Sequence, residues 1–141
     1  MKPLKLIALS ILLLMSIKSF SQDSTASSKI YFIRNTGYNG SAINFHCFAD
    51  SQLVCNIKNK KFSVHNIDTG SHVFNVRSSG KEITSSTNAL TIHIEAGKSY
   101  YIKILPGQSY SLASTLKLLE VSESIAQSLL PKCTQQTDCL K

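Results

Sequence analysis

Leu90-Thr91-Ile92-His93-Ile94-Glu95-Ala96-Gly97-Lys98-Ser99-Tyr100-Tyr101-Ile102-Lys103-Ile104-Leu105 decides the fold class. Leu90, Ile92 and Ile94 alternate with Thr91, His93 and Glu95, a period of two that places apolar side chains on one face of a half-buried strand. Ala96-Gly97-Lys98 is a tight turn in which Gly97 has a structural role, and Tyr100 to Leu105 is the next strand. The same period continues toward the N-terminus. Ile30 to Arg34 is an apolar, β-branched and aromatic run, ended by turn residues over 35–41. Ala42 to Phe48 and Gln52 to Lys58 form a hairpin through Ala49-Asp50-Ser51. Lys60 to His65 carries Phe62 and Val64 on one face. Asp68-Thr69-Gly70 turns the chain, with Gly70 supplying a positive φ cheaply, and His72 to Arg77 follows. After a polar loop over 78–88 and the opening pair of strands, Ser114 to Val121 gives one more strand. Only then does a helical pattern begin: Ser122 as cap, Glu123 in the first turn, Ile125 and Leu129 on one face, and Pro131 as the stop. Short strands at this spacing without intervening helices predict a β-sandwich or barrel.

The two ends of the chain bound its compartment and organisation. Lys2 and Lys5 precede an apolar run from Leu6 to Ile17, and Ser19-Phe20-Ser21 offers small residues for cleavage. This pattern predicts a secretory signal peptide over 1–21, too short to span a ~30 Å hydrocarbon layer comfortably. Residues 22–28 are a Ser/Thr-rich lead-in, 29–121 the single β domain, and 122–141 a short helix and tail. No cysteine precedes Cys47, so the chain is not expected to be a lipoprotein; it is read as secreted, periplasmic or bound to the cell surface. The formal net charge is +7, with Lys2, Lys5 and Lys18 inside the leader. Lys58, Lys60 and Lys61 are the only local basic cluster, far short of the dense stripe with aromatic platforms that nucleic acid requires.

Four cysteines in a secreted chain suggest two disulfides, with three possible connectivities. Their spacing favours local pairs. If the hairpin turns about Ser51, Cys47 and Cys55 face each other on one side of it. Cys133 and Cys139 would close a short loop and tie down the C-terminus. The alternative for Cys47 and Cys55 is a pair of buried thiols behaving as small apolar residues. The Cys-x5-Cys spacing of Cys133 and Cys139 is not a strong zinc pattern, and no Cys-x-x-Cys occurs for redox catalysis.

Candidate chemistry is sparse, and no cofactor is implied. His72 follows the turn glycine and aligns with Phe74 and Val76, where it either meets a ligand or is satisfied by loop carbonyls and holds the turn. His93 shares a polar face with Thr91 and Glu95. His46 and His65 sit at polar parity, and on neighbouring strands the two rings could approach each other around a metal ion. Serines are abundant, yet no Gly-x-Ser-x-Gly elbow occurs, and the eight acids are dispersed over turns and strand ends. Tyr100 and Tyr101 point to opposite faces of one strand, one toward the core. Tyr101 with Tyr38 and Tyr110 is a candidate recognition surface; the plainer reading is rings that cover the edges of a small core.

Taken in order, several short motifs resemble a family of small bacterial envelope proteins classed as a domain of unknown function. Tyr31-Phe32-Ile33-Arg34 is similar to the family's first strand, which ends in Arg. A hairpin with an Asp-Gly turn follows in the family, where this chain has Asp50-Ser51. The family's Pro-Gly-x-His signature appears as Thr69-Gly70-Ser71-His72, with Pro replaced. Gly97-Lys98-Ser99-Tyr100-Tyr101 matches Gly-x-x-Tyr-Tyr in full, and Leu116 to Val121 resembles the final strand. The resemblance spans roughly 29–130. It implies a single antiparallel Greek-key β-sandwich akin to transthyretin-like envelope modules, and it carries no known activity. The function expected is non-enzymatic binding of an envelope protein or a glycan, through a sheet edge or the loops at 35–41 and 78–88. The alternative is a small hydrolase or metal-dependent enzyme whose site is assembled from distant residues.

Overall fold

The computed structural model describes residues 27–38, 40–78, 89–106 and 116–140. The signal segment, most of the lead-in, Tyr110 and nearly all of the 78–88 loop lie outside them. The strands are β1 (Ser28–Arg34), β2 (Phe45–Ala49), β3 (Gln52–Ile57), β4 (Lys61–Ile67), β5 (Gly70–Ser78), β6 (Leu90–Ile94), β7 (Ser99–Leu105), β8 (Lys117–Val121) and β9 (Thr134–Gln135). A short helix, α1 (Glu123–Leu129), lies between β8 and β9, and a single 3-10 turn, Leu130–Lys132, carries Pro131. Two sheets form, in the orders β8-β7-β1-β4-β9 and β3-β2-β5-β6. Among the described residues no helix is long and apolar enough to cross a membrane.

The β-sandwich class holds, but its pairing is not wholly antiparallel. β1 runs parallel to β7, with Lys29 opposite Ser99 and Arg34 opposite Ile104, and β9 runs parallel to β4. The reason is the path of the chain. It changes sheet between β6 and β7, so β7 enters beside β1 heading the same way instead of folding back on β6. The turn at Ala96-Gly97-Lys98, with Gly97 at φ 71°, is therefore a crossing between layers.

Between the sheets lies one apolar core. Ile30 and Phe32 of β1 and Ile102 and Ile104 of β7 meet Phe45, Cys47, Cys55, Ile57, Phe74, Val76, Ile92 and Ile94 from the other sheet. Each such ring or branched side chain contributes ~1.5–3 kcal/mol by leaving water. The five-stranded sheet is covered on its other face too. There Ile33, Tyr101 and Val121, with half-buried Tyr31 and Phe62, pack under α1, whose fully buried Ala126 lets the helix approach closely. Glu123 sits favourably in the first turn of α1. Ser122 occupies the cap position, but its hydroxyl makes no capping bond to a helix backbone N–H and meets the Ser124 hydroxyl instead.

Beyond α1 the chain becomes a strap across the side of the sandwich where β3 and β4 meet. Thr134 donates to the Lys60 carbonyl and Gln136 to that of Phe62, which joins the strap to the first sheet. The buried Gln136 side chain accepts from Lys58 N–H and donates to the Asn56 carbonyl, which joins it to the second. Asn56 N–H then donates to the Cys139 carbonyl at 2.8 Å.

Candidate functional site

Among the described residues the outer face of the four-stranded sheet carries no helix or strap, and its side chains follow from strand register. His46 lies between Asn56 and Arg77, Phe48 between Leu53 and Asn75, Val73 beside Thr91, and Ser71 beside His93. Directly paired residues project from the same face, so these ten form one surface. Leu53 and Val73 are each 38% exposed, and the Arg77 guanidinium lies 4.7 Å from the centre of the Phe48 ring. His46 hydrogen-bonds Asn56, and Ser71 bonds His93 at 3.2 Å. A bulge at the Cys47/Phe48 step twists this face locally. Beside it, β6 ends the sheet: among the described residues no strand pairs with its far edge.

At the rim of this face the Asp50-Ser51 turn joins β2 to β3 with both residues at positive φ, 47° and 67°. The Asp50 carboxylate accepts from Val73 N–H at 2.9 Å and from His72 Nδ1 at 2.6 Å. These bonds, the backbone one foremost, hold its carboxyl below the ordinary range. His72 Nε2 reaches the Asp68 carbonyl at 3.0 Å. The imidazole thus clamps two turns together, with Gly70 between them at φ 128°.

Of the candidate tyrosines, Tyr38 is 98% exposed in the loop after β1. Tyr101 is not a surface residue: it is buried under α1 against Tyr31, with ring centres 4.8 Å apart, and this burial pushes its phenol up. Tyr100, on the opposite side, packs at the core's edge and its hydroxyl accepts from Glu95 N–H. Both faces of β7 are covered, so parity does not separate an inner ring from an exposed one. Tyr110 lies outside the described residues.

The histidines do not converge. His46 is in the four-stranded sheet and faces out. His65 is in the other sheet, opposite Ile30 and against the Phe32 ring. Its polar parity does not point to solvent because Phe62 takes the face under α1 and leaves His65 to the sandwich interior. Burial lowers its basicity, and Ser63 Oγ meets its Nε2 at 3.0 Å.

The expected local disulfides do not form. Cys47 and Cys55 are opposed across the hairpin, both fully buried, but Cys55 is bonded to Cys139, and Cys47 and Cys133 carry free thiols. Directly opposed strand residues hold their Cβ atoms ~4.5–5.5 Å apart, wider than the ~3.8 Å of a typical disulfide. The strap brings Cys139 to a Cα separation of 4.3 Å from Cys55 instead. Cys133 stays under α1, its thiol directed at the Arg34 carbonyl. Burial pushes the Cys47 thiol far up, so it remains protonated and a poor nucleophile toward the adjacent disulfide. The Cys55 and Cys139 sulfurs and one ring nitrogen of His65 all lie within 4.8 Å of one another, the one group of three candidate metal-binding side chains among the described residues.

Arg34 had no assigned role in the sequence reading. Its guanidinium is fully buried at one end of the core, 3.4 Å from the Phe45 ring centre. It donates to the Gly40, Ile43 and Ile57 carbonyls at 2.6, 2.8 and 2.8 Å. Desolvation lowers its pKa to about 10. The available signal was its period: Arg34 falls on the same face as Ile30 and Phe32. No family model matches the chain, and no curated protein matches it at a significant level.

Proposed function

We propose that the chain is a secreted or periplasmic β-sandwich module without enzymatic activity, which binds an envelope protein through the outer face of its four-stranded sheet. One observation carries this reading: the two outer faces are treated unequally. The five-stranded sheet is capped by α1, whereas no described residue beyond the sheet covers Phe48, Leu53 and Val73 beside Arg77 on the other. Aromatic, aliphatic and Arg side chains in one patch are the composition of protein interfaces. The open edge of β6 would let a partner strand extend the same sheet. A glycan is the weaker choice, because sugars stack on flat exposed rings and Tyr38 stands apart from this face. The Cys55–Cys139 bond supports an oxidising compartment. Cleavage of residues 1–21 and membership in the envelope family of unknown function are part of the same proposal. Its transthyretin-like Greek-key architecture is supported by the strand order, with β1 held parallel to β7 inside one layer.

Crosslinking in intact cells, followed by capture of the tagged mature chain and mass spectrometry, tests the reading. A reproducible protein partner is expected, and Leu53→Glu with Val73→Glu should abolish its capture while leaving the fold intact. Capture that persists in this double variant, or a chain that yields no partner, overturns it.

A further inference from the structure

Two consecutive strands and the distant C-terminal strap deliver donors to one spot at the side of the sandwich where β3 and β4 meet. Cys55 projects inward from β3, His65 inward from β4 of the facing sheet, and Cys139 arrives on the C-terminal strap. In the oxidised chain the two sulfurs are joined. With their separation from the imidazole nitrogen within 4.8 Å, little movement is needed for all three to meet one ion.

We propose that Cys55, Cys139 and His65 form a zinc site once a dithiol has opened the disulfide, a property independent of the protein-binding reading above. The dithiol gives up two electrons and two protons and becomes a cyclic disulfide; Cys55 and Cys139 receive them as two thiols. Zinc(II) then displaces both thiol protons and takes two thiolates and a neutral imidazole. The resulting unit carries no net charge, which suits a site whose Cys55 is fully buried. Zinc accepts this Cys2His set with a fourth, open position, and Cys139 and His65 are only partly buried, so water reaches it.

Two further features favour assembly. The strap is held by more than the disulfide: Asn56 N–H donates to Cys139 O, Lys58 N–H to Gln136 Oε1 and Gln136 Nε2 to Asn56 O, and none of these bonds involves a sulfur. The freed thiols therefore stay within reach of each other, and less ordering is left for the metal to impose. Ser63 Oγ, bonded to His65 Nε2, holds the ring in orientation, which makes Nδ1 the ligand atom of the proposed site.

The test uses the tag-free mature chain, reduced with dithiothreitol without oxygen and freed of it by gel filtration. Zinc is then titrated against a chromophoric chelator, and cobalt(II) alone in a parallel sample. A single strong site is expected in the reduced chain and none in the oxidised one. His65→Ala and Cys139→Ser should each weaken it ~10-fold or more, and Cys133→Ser and Cys47→Ser should leave it unchanged. Equal affinity in His65→Ala, or a site that follows Cys133 or Cys47, overturns the proposal. Should Cys139→Ser fail to fold, X-ray absorption of the zinc-loaded native chain decides: two sulfurs and one imidazole nitrogen are expected, and any other protein donor set overturns it.

Discussion

Arg34 is a buried charge whose described partners are three carbonyls and an aromatic ring, with no carboxylate among them. Its Nε has no partner among the described residues, where the remaining nitrogens and the Phe45 face supply the compensation for lost water. The planar fork joins the end of β1 to the loop before β2 and to the end of β3, a reach a lysine ammonium does not reproduce. Arg34→Met should therefore destabilise the chain by about 3–5 kcal/mol, because the Ile57 carbonyl loses its donor inside the core and the Gly40 and Ile43 carbonyls lose theirs at its margin; urea unfolding of the oxidised chain measures it. Arg34→Lys should fall well short of restoring the difference. Ser51 presents the opposite case. At φ 67° it occupies backbone space that favours glycine, and Ser51→Gly should raise stability by about 0.5–1 kcal/mol in the same measurement, relief of the left-handed conformation exceeding the extra freedom of the unfolded chain. The position was legible in the sequence as a turn. The burial of Arg34 had only its period as a signal, since an arginine at a strand end ordinarily signals solvent and its acceptors come from the loop over 40–43 and from the end of β3.

The C-terminal strap is the element that local reasoning misplaced most. The hairpin of β2 and β3 was readable as two alternating strands about a turn at Asp50-Ser51, but Cys47 lies opposite Cys55 only because a bulge at the Cys47/Phe48 step shifts the register by one residue. Which sulfur bonds Cys55 was not readable, because the choice belongs to a segment 84 residues later in the chain. Two side-chain bonds from Gln136, itself a polar residue in a tail, dock that segment, and no periodicity announces them. Closing so long a loop restricts the unfolded chain strongly: reduction in the absence of metal should lower the unfolding free energy by about 4 kcal/mol. Denaturant midpoints with and without dithiothreitol measure this, and Cys133→Ser should leave the difference intact because its thiol stays free.

For the molecule as a whole, period-two alternation was enough for a mainly β sandwich with a late helix, and it failed where a sheet is covered twice. Tyr101 and His65 were both assigned from parity, on the premise that one face of each strand meets water. Once α1 covers the five-stranded sheet, that premise holds only for the other layer, where His46 and His93 do face outward. The parallel pairing of β1 with β7 has a further consequence, in time instead of space. The first of the described strands to leave the ribosome, β1, occupies the middle of its sheet, and neither β4 nor β7 exists when it emerges. The sandwich cannot close around β1 until β7 has been made, about seventy residues later, and contacts so distant along a polymer form slowly. A nascent chain of this design holds no closed sandwich until then. That is the condition in which a polypeptide can be threaded across a membrane before it folds on the far side.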